Sequence, residues 1–459
     1  MAEMKRFPTD VPGLDAILHG GLFEGGVYIL EGPPGVGKTT LANQIAFGHA
    51  RKGKRTLYVT MLAESHARML QHMQNQSFCD PNVVNSMVFF LSAYRELEKS
   101  GLKSVIELLR GELTKHNAEL LVVDGLVVEN RAVHTEEGIR QFVHELQSLA
   151  TALGSTCLLL TSGNGRPLNA EQTMVDGIFA FEDFAYQLRA ERRIQVRKFR
   201  GSAVERGKHT FCITNEGLHF FPRLEGLTHS DPAQDRADSV VSSGFVELDQ
   251  ALPSGGLFCG SSTMLIGDSG VGKTSLALSF AAQAHIEDRG LILSGTESQS
   301  DLLRLSKPLR LPLQKSLGEN RLRIQCRGQE DEALDEMAHK LLRKLGEYGA
   351  SLLVVDGLAS MADTVAFPER GYRFIGWLLR ELQVLGVTSI FTVDPAALEA
   401  ATGRQLTQGL ASWFDNIWEL SAPGLGRQDR LLHLRKFRGT HLAKTSFEIS
   451  LGTTGLRLI

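Results

Sequence analysis

The sequence predicts an α/β fold that is repeated in two similar domains. Two observations support this prediction: a long block of sequence occurs twice at a nearly constant offset, and within each copy short apolar runs alternate with helical patterns. Such alternation is typical of a mostly parallel sheet with helices on both faces. A chain of 459 residues is also long enough to form two cores of ordinary size.

Three blocks of the repeat stay in register. The segment GGLFEGGVYILEGPPGVGKTTLANQIAF starts at Gly20 and GGLFCGSSTMLIGDSGVGKTSLALSFAA starts at Gly255, an offset of 235 residues. The run LLVVDGL recurs at an offset of 232 residues, and VRKFRGS recurs as LRKFRGT at an offset of 238. Chance similarity would not keep three blocks aligned. We therefore place an N-terminal domain at residues 1–225, a polar, turn-rich linker at 226–239 and a C-terminal domain at 240–459.

Each copy also contains an amphipathic helix pattern after its LLVVD run. Apolar residues recur at helical spacing, which predicts one buried face for each helix. In the first copy these residues are Ile139, Phe142, Val143, Leu146 and Leu149. In the second copy they are Phe374, Ile375, Leu378, Leu379 and Leu382.

Composition narrows the classes of function. The chain is 42% hydrophobic and 22% charged, no apolar run has the length of a membrane span, and the N-terminus lacks an apolar signal core. We therefore expect a cytoplasmic protein that does not enter a membrane. The five cysteines are scattered and never spaced as CxxC, which argues against a disulfide framework and a zinc site. A net charge of −3 provides no general attraction to nucleic acid.

Two glycine-rich loops carry the chemistry. Both fit GxxxxGK[ST], and each follows a predicted strand and precedes a predicted helix, as a phosphate-binding P-loop requires. Lys38 and Lys273 are expected to reach the β- and γ-phosphates of ATP, and Thr39 and Thr274 to offer a hydroxyl to Mg²⁺. An accidental GKT in a glycine-rich turn is the alternative for a single match, but not for two in register. The predicted nucleotide-binding residues are Gly32, Pro33, Pro34, Gly35, Val36, Gly37, Lys38, Thr39 and Thr40, and Gly267, Asp268, Ser269, Gly270, Val271, Gly272, Lys273, Thr274 and Ser275.

Four acidic residues complete the predicted sites. Asp124 and Asp356 end the two LLVVD runs, where a carboxylate at the end of a parallel strand faces the ligand and can hold magnesium. The alternative is an aspartate that begins a turn before glycine. Glu64 and Glu297 follow another predicted strand and are candidates for orienting or deprotonating the attacking water. Alternatively, each is an acidic residue in the first turn of a helix.

These motifs resemble the KaiC family, two-domain ATPases of the RecA-like superfamily. The resemblance covers nearly the whole chain and depends on the tandem P-loops, the LLVVD strands, the Glu-Ser pairs and the twin K-F-R-G blocks. It implies that Lys198, Arg200, Lys436 and Arg438 complete a neighbouring subunit's nucleotide site, and that the protein is a hexamer of two stacked tiers. The alternative for K-F-R-G is a basic edge strand kept soluble by its charge.

The chain also departs from the clock proteins of this family. Those proteins have two adjacent glutamates after the second strand, whereas the pairs here are Ala63-Glu64 and Thr296-Glu297. At the position of the paired Ser and Thr phosphoacceptors this chain has Ala411 and Ser412, so only Ser412 is available to accept a phosphate. The sequence stops at Ile459, soon after the last strand pattern, so the C-terminal tail of the clock proteins is not expected.

Three hypotheses of function follow. The first is a ring-forming, Mg²⁺-dependent ATPase that acts as a nucleotide-driven switch for an unidentified protein partner, with autokinase activity at Ser412 as an extension. The second is a DNA-handling motor, although its candidate loops, residues 163–169 and 400–405, contain one arginine each and no aromatic residue. The third is a division of labour in which one tier binds ATP for assembly, because the two P-loops differ at Pro33-Pro34 and Asp268-Ser269.

Overall fold

The chain divides into two units, residues 1–226 and 227–459. The computed structural model describes residues 4–61, 66–126, 136–162, 174–186, 189–226, 239–284, 288–326, 332–362, 367–422, 430–438, 445–452 and 455–459.

The first unit alternates strands and helices along its length. Its strands are β1 (Arg6–Phe7), β2 (Leu22–Phe23), β3 (Val27–Glu31), β4 (Thr56–Thr60), β5 (Val88–Ser92), β6 (Leu120–Leu126), β7 (Thr156–Thr161), β8 (Gly177–Tyr186), β9 (Arg189–Phe199), β10 (Lys208–Thr214) and β11 (Gly217–Phe221). Its helices are α1 (Leu14–Ile17), α2 (Lys38–Arg51), α3 (His66–Met73), α4 (Tyr94–His116), which is interrupted at Gly101, and α5 (Glu136–Leu153).

Within the described residues, one nine-stranded sheet organises this unit, in the order β11-β10-β9-β8-β3-β7-β6-β4-β5. The strands from β8 to β5 are parallel, and β9, β10 and β11 extend the sheet in antiparallel fashion. Every residue of β3, β4 and β7 is buried, as expected for parallel strands covered on both faces. Tyr28 and Leu30 of β3 pack into a core with α2, and Val27 and Ile29 pack into a second core with α4 and α5.

The second unit repeats this order. Its strands are β12 (Val240–Val241), β13 (Leu257–Phe258), β14 (Ser262–Ile266), β15 (Arg289–Ser294), β16 (Leu322–Cys326), β17 (Ala350–Asp356), β18 (Thr388–Val393), β19 (Asn416–Ser421), β20 (Arg430–Phe437), β21 (Ser446–Gly452) and β22 (Gly455–Leu458). Its helices are α6 (Val246–Ala251), α7 (Lys273–Ala281), α8 (Gln299–Ser306), α9 (Leu313–Gly318), α10 (Leu334–Tyr348), α11 (Leu358–Ala362), α12 (Phe367–Val384), α13 (Pro395–Thr402) and α14 (Thr407–Ala411).

As far as the chain is described, the second sheet also has nine strands, in the order β16-β15-β17-β18-β14-β19-β20-β21-β22. The strands from β16 to β19 are parallel, and the last three are antiparallel. The predicted α/β fold is therefore confirmed in both copies. The three antiparallel strands that end each unit are an addition that the sequence patterns did not predict.

The two predicted amphipathic helices are confirmed as α5 and α12. All ten apolar residues predicted for their buried faces are buried, and none is more than 5% exposed. The predicted loop at residues 400–405 is partly wrong, because α13 continues through Thr402. The other candidate loop, residues 163–169, lies outside the described residues. No described helix combines the length and the apolar character needed to cross a bilayer.

A buried imidazole lies on α2, the helix that follows the first P-loop. The His49 side chain is 5% exposed, its ring lies 4.7 Å from the ring of Phe7, and its Nε2 has no hydrogen-bond partner among the described residues. Burial lowers the pKa of His49 from 6.5 to about 4. The folded state therefore holds a neutral ring over a pH range in which the unfolded chain binds a proton.

We predict an acid-sensitive stability that depends on His49. Because its pKa is lower in the folded state, the free energy of unfolding of the N-terminal unit should fall as the pH decreases from 6.5 to 4, by about 3 kcal/mol in total. Substitution of His49→Phe should remove this loss, as measured by urea unfolding across that pH range. The control His144→Phe replaces an exposed imidazole on α5 and should keep the acid sensitivity. Equal pH dependence of the His49→Phe variant and the parent would contradict the prediction.

Candidate active sites

The two glycine-rich loops connect a central strand to a helix in the same way. The first loop joins β3 to α2, which begins at Lys38, and the second joins β14 to α7, which begins at Lys273. Gly37 and the equivalent Gly272 have φ angles of 115° and 107°, in the left-handed region that favours glycine. This turn directs backbone N–H groups and the amino end of the helix toward the inside of the loop, where a phosphate binds. Thr40 and Ser275 lie in the first turns of the two helices.

Each P-loop lysine lies inside its own loop. The Lys38 Nζ donates hydrogen bonds to the carbonyl oxygens of Gly32 and Pro33, at 2.7 and 2.9 Å. The Lys273 Nζ makes the equivalent bonds to Gly267 and Asp268, both at 2.7 Å. Burial lowers the pKa of both ammonium groups. Each loop thus encloses the ammonium group of its lysine, and this positive charge would attract the phosphates of a nucleotide.

The predicted threonine and aspartate of each site meet. The Thr39 hydroxyl donates to Asp124 Oδ2 at 2.9 Å, and the Thr274 hydroxyl donates to Asp356 Oδ1 at 3.1 Å. Each pair presents a hydroxyl oxygen and a carboxylate oxygen beside the loop, and Mg²⁺ uses such oxygen ligands together with phosphate oxygens and water. The residues therefore fit a magnesium ion bound with ATP, held by Thr39 and Asp124 in one unit and by Thr274 and Asp356 in the other.

Each of these aspartates has a second hydroxyl donor that the sequence analysis missed. Asp124 accepts from the hydroxyl of Tyr58, which is fully buried on β4, at 2.8 Å. Asp356 accepts from the hydroxyl of Thr392 on β18 at 2.7 Å. Burial raises the pKa of Asp356. The two donors come from different strands and different positions of the repeat, so alignment of the copies could not reveal them.

Glu297 lies in the loop after β15, the strand that pairs with the strand of Asp356. It follows β15, and the Ser294 hydroxyl fixes its backbone through hydrogen bonds with both its N–H and its carbonyl oxygen, at 3.0 and 2.8 Å. Gly295 N donates to the Asp356 carbonyl oxygen at 2.9 Å, which ties the same loop to β17. The N-cap of α8 is Ser298, so Glu297 precedes the helix and the first-turn alternative is wrong for it. Glu64, its counterpart, lies outside the described residues.

The K-F-R-G blocks lie at the ends of β9 and β20. β9 pairs with β8 and β10, and β20 pairs with β19 and β21. The described pairing with β10 ends at Gln195 and that with β21 ends at His433, so the blocks themselves are paired on one side, with β8 and β19. The edge-strand alternative therefore stays open.

Both strands contain a β-bulge directly before the lysine. Lys198 is paired with Ile178 and Val196 with Phe179, which leaves Arg197 as the extra residue. A bulge bends its strand and redirects the side chains that follow it.

The same bulge occurs in the second copy, where Arg435 is the extra residue between the paired residues Leu434 and Lys436. Each bulged arginine binds a carboxylate. Arg197 binds Glu31, the last residue before the first P-loop, and Arg435 Nε lies 2.5 Å from Glu419 Oε2. The sequence analysis missed these arginines, although R-K-F-R-G is identical in both copies and was a usable signal.

The lysines and arginines of these blocks have local partners. The Lys436 Nζ donates to the carbonyl oxygens of Ala411 and Phe414, at 3.3 and 2.6 Å, and so holds the turn that contains Ser412. Arg438 pairs with Asp415 at 2.9 Å and its side chain remains 73% exposed. In the first unit, Arg200 donates to the Met174 carbonyl oxygen at 3.2 Å. Burial lowers the pKa of Lys198.

Comparisons with known proteins support the same two-copy organisation. A family model described as "ATPase: KaiC" matches residues 7–225 and again residues 241–459. The chain belongs to the KaiC family of ATPases. The circadian clock oscillator protein KaiC of Rippkaea orientalis is 24% identical, with 98% of this chain and 88% of the relative covered. KaiC 1 of Synechocystis is 23% identical with the same coverage. KaiC of Picosynechococcus is 24% identical, over 78% of this chain and 71% of the relative.

These matches confirm the predicted family and support the predicted ATPase activity of this KaiC-family protein. They do not favour the DNA-handling motor. The structure groups the P-loops, the threonine–aspartate pairs and Glu297 at the carboxyl ends of the parallel strands, where ligands of such sheets bind. The roles of the individual residues remain predictions.

We predict that Glu297→Gln lowers ATP turnover by at least about a hundredfold, because an amide cannot accept the proton of the attacking water. The substitution keeps the size of the side chain, so nucleotide binding should be retained. Turnover and binding would be measured in the full chain carrying Lys38→Ala, which leaves the C-terminal P-loop intact. Asp301→Asn, a change in the first turn of α8, is the control and should keep turnover. Undiminished turnover of Glu297→Gln would show that another group activates the water.

Proposed function

We propose that this chain forms a cytoplasmic, hexameric double ring that binds MgATP between subunits, hydrolyses it and acts as a nucleotide-driven switch. One observation carries the proposal: the lysine and arginine of each K-F-R-G block lie far from the P-loop of their own unit. Lysine and arginine side chains bind phosphate well. Because these residues are distant from their own P-loop, we infer that they contact the nucleotide of a neighbouring subunit.

The sheet register gives this separation. In the first unit Lys198 is level with Ile178, which is level with Ile29 of β3, and Arg200 continues toward the amino end of that strand. The P-loop begins at the opposite end of β3, after Glu31. A strand rises about 3.3 Å per residue, and neighbouring strands lie about 4.8 Å apart. The backbone of Lys198 is therefore on the order of 10 Å from the start of the P-loop along the strand direction, and on the order of 10 Å from it across the sheet.

The second unit has the same arrangement. Lys436 is level with Ile417, which is level with Met264 of β14, whereas the P-loop follows Ile266 at the other end of the strand. A contact in which one end of a subunit meets the opposite end of the next is heterologous, and heterologous contacts that close form rings. The exposed guanidinium of Arg438 is suited to such a contact.

In this proposal each site combines groups from two subunits. The P-loop amides, Lys38 or Lys273, and the threonine–aspartate pair hold ATP and magnesium, which neutralises charge on the phosphates. Glu297, and Glu64 in the other unit, orients the attacking water and accepts its proton. The neighbouring subunit contributes Lys198 and Arg200, or Lys436 and Arg438, against the negative charge that develops during phosphoryl transfer.

Mixing two inactive variants tests the shared site. One variant carries Lys38→Ala and Lys273→Ala, and the other carries Arg200→Ala and Arg438→Ala. Each should hydrolyse ATP poorly alone. Random mixed rings should recover up to about a quarter of the parent turnover, because that fraction of interfaces joins an intact P-loop to intact arginines. No recovery in rings shown to be mixed would contradict sites shared between subunits. A monomer by light scattering under saturating MgATP would contradict the ring.

Autokinase activity at Ser412 is a second proposal. The Ser412 side chain is exposed, its hydroxyl donates to the Gly409 carbonyl oxygen at 2.8 Å, and Lys436 fixes its turn. A side chain in this position would face the neighbouring subunit if the K-F-R-G block does so.

We predict that label from γ-labelled ATP becomes attached to the chain and that Ser412→Ala removes it, while free phosphate is still released. Thr407→Val, a change to another hydroxyl of the same segment, is the control and should keep the label. Label found only as free phosphate would restrict the protein to ATP hydrolysis.

A further inference from the structure

An acidic residue that the sequence analysis did not single out, Asp394, lies at the C-terminal P-loop. Asp394 follows β18, the strand between β14 and β17 in the sheet. The residue before it, Val393, accepts a hydrogen bond from the N–H of Gly267, the first glycine of the loop, at 3.1 Å. Asp394 is therefore at the carboxyl edge of the sheet between the P-loop strand and the strand of Asp356.

The two oxygens of this carboxylate have different surroundings. Oδ1 accepts hydrogen bonds from the backbone N–H groups of Ala396 and Ala397, both at 3.1 Å, and so caps α13. Oδ2 lies 3.8 Å from the Nζ of Lys273. The side chains of Lys273 and Asp394 are only 11% and 19% exposed. One oxygen thus anchors the carboxylate, and the other faces the ammonium group that a nucleotide would use.

The N-terminal unit has no charge at this position. Gly32 N donates to the Thr161 carbonyl oxygen, as Gly267 N does to Val393, so Ser162 is the counterpart of Asp394. The two P-loop lysines otherwise make the same carbonyl contacts. Two carboxylates near Lys273 therefore have no charged counterpart in the first unit: Asp268, where that unit has Pro33, and Asp394. Of the two, Asp394 has a carboxylate oxygen at 3.8 Å from the ammonium group.

We propose that Asp394 competes with the γ-phosphate for Lys273 and so lowers the preference of the C-terminal site for ATP over ADP. This inference rests on the proposed binding of ATP at that P-loop. The lysine of a P-loop reaches the β- and γ-phosphates, so it must leave Asp394 when ATP binds. The released carboxylate then lies near the most highly charged end of the nucleotide. ADP lacks the γ-phosphate, so the Asp394 carboxylate repels it less.

The test isolates the C-terminal site in the full chain carrying Lys38→Ala. Affinities for ADP and for the β,γ-imido analogue of ATP would be measured by calorimetry with Mg²⁺. Asp394→Asn removes the charge but keeps an oxygen that can cap α13. It should raise the affinity for the analogue about tenfold or more, because like charges at this separation repel strongly in a partly buried site, and should raise the affinity for ADP less. Asp394→Ser, which copies the N-terminal unit, should shift the two affinities in the same way.

Two further variants separate charge from structure. Asp394→Ala removes both the charge and the cap, so an affinity change seen with alanine but absent with asparagine would overturn the proposal in favour of a structural role. Ser162→Asp in the full chain carrying Lys273→Ala should weaken binding of the analogue more than binding of ADP at the N-terminal site.

The outcomes distinguish this inference from the proposed function. A Lys38→Ala parent that binds neither nucleotide, with or without Asp394→Asn, would refute nucleotide binding by the C-terminal unit. A parent that binds both, with a ratio of affinities that Asp394→Asn leaves unchanged, would refute the role of Asp394 alone.

Discussion

Both sites depend on the hydrogen bond between the P-loop threonine and the aspartate of the LLVVD strand. Thr39 lies in the first turn of α2, the helix after β3, whereas Asp124 belongs to β6, which is separated from β3 by β7. The two side chains meet only because the parallel register keeps the carboxyl ends of the three strands level. A slip by one residue would exchange the side chains that fill the two different cores on either side of the sheet, and would also separate Thr39 from Asp124.

The threonine–aspartate hydrogen bond is the same in both units, but the second hydroxyl donor to the aspartate differs. In the first unit a tyrosine from β4 supports the aspartate, and in the second a threonine from β18 does so. At the positions of the repeat where one unit has its hydroxyl, the other unit has an apolar residue: Ile292 replaces Tyr58, and Leu160 replaces Thr392. A carboxylate held away from water needs hydrogen-bond donors, and either neighbouring strand can provide one for the half-buried Asp124 and the buried Asp356.

The sequence was sufficient for the features that recur along the chain, and insufficient for those that depend on contacts between strands. Repeat offsets, P-loops and apolar periodicity predicted both α/β units and the faces of α5 and α12. The bulges at Arg197 and Arg435 depend on register with a neighbouring strand, which local patterns do not reveal. Asp394 followed the rule that identified Asp124, an acidic residue at the end of an apolar run, but it lies outside the repeated blocks.

The bulges connect the two ends of each sheet. In the first unit Arg197 reaches back to Glu31, the residue that enters the P-loop, whereas Lys198 and Arg200 continue toward the opposite end of the sheet. Without the extra residue, each side chain that follows it would lie on the opposite face of the sheet. In the first unit the bulge therefore lets one short block contact its own P-loop strand and still present two cations near the other end of the sheet. In the second unit Arg435 contacts Glu419 of β19, which is level with Ile266 at the P-loop end of β14. In both copies the bulged arginine therefore binds a carboxylate at the P-loop end of the sheet, while the cations that follow it lie toward the other end.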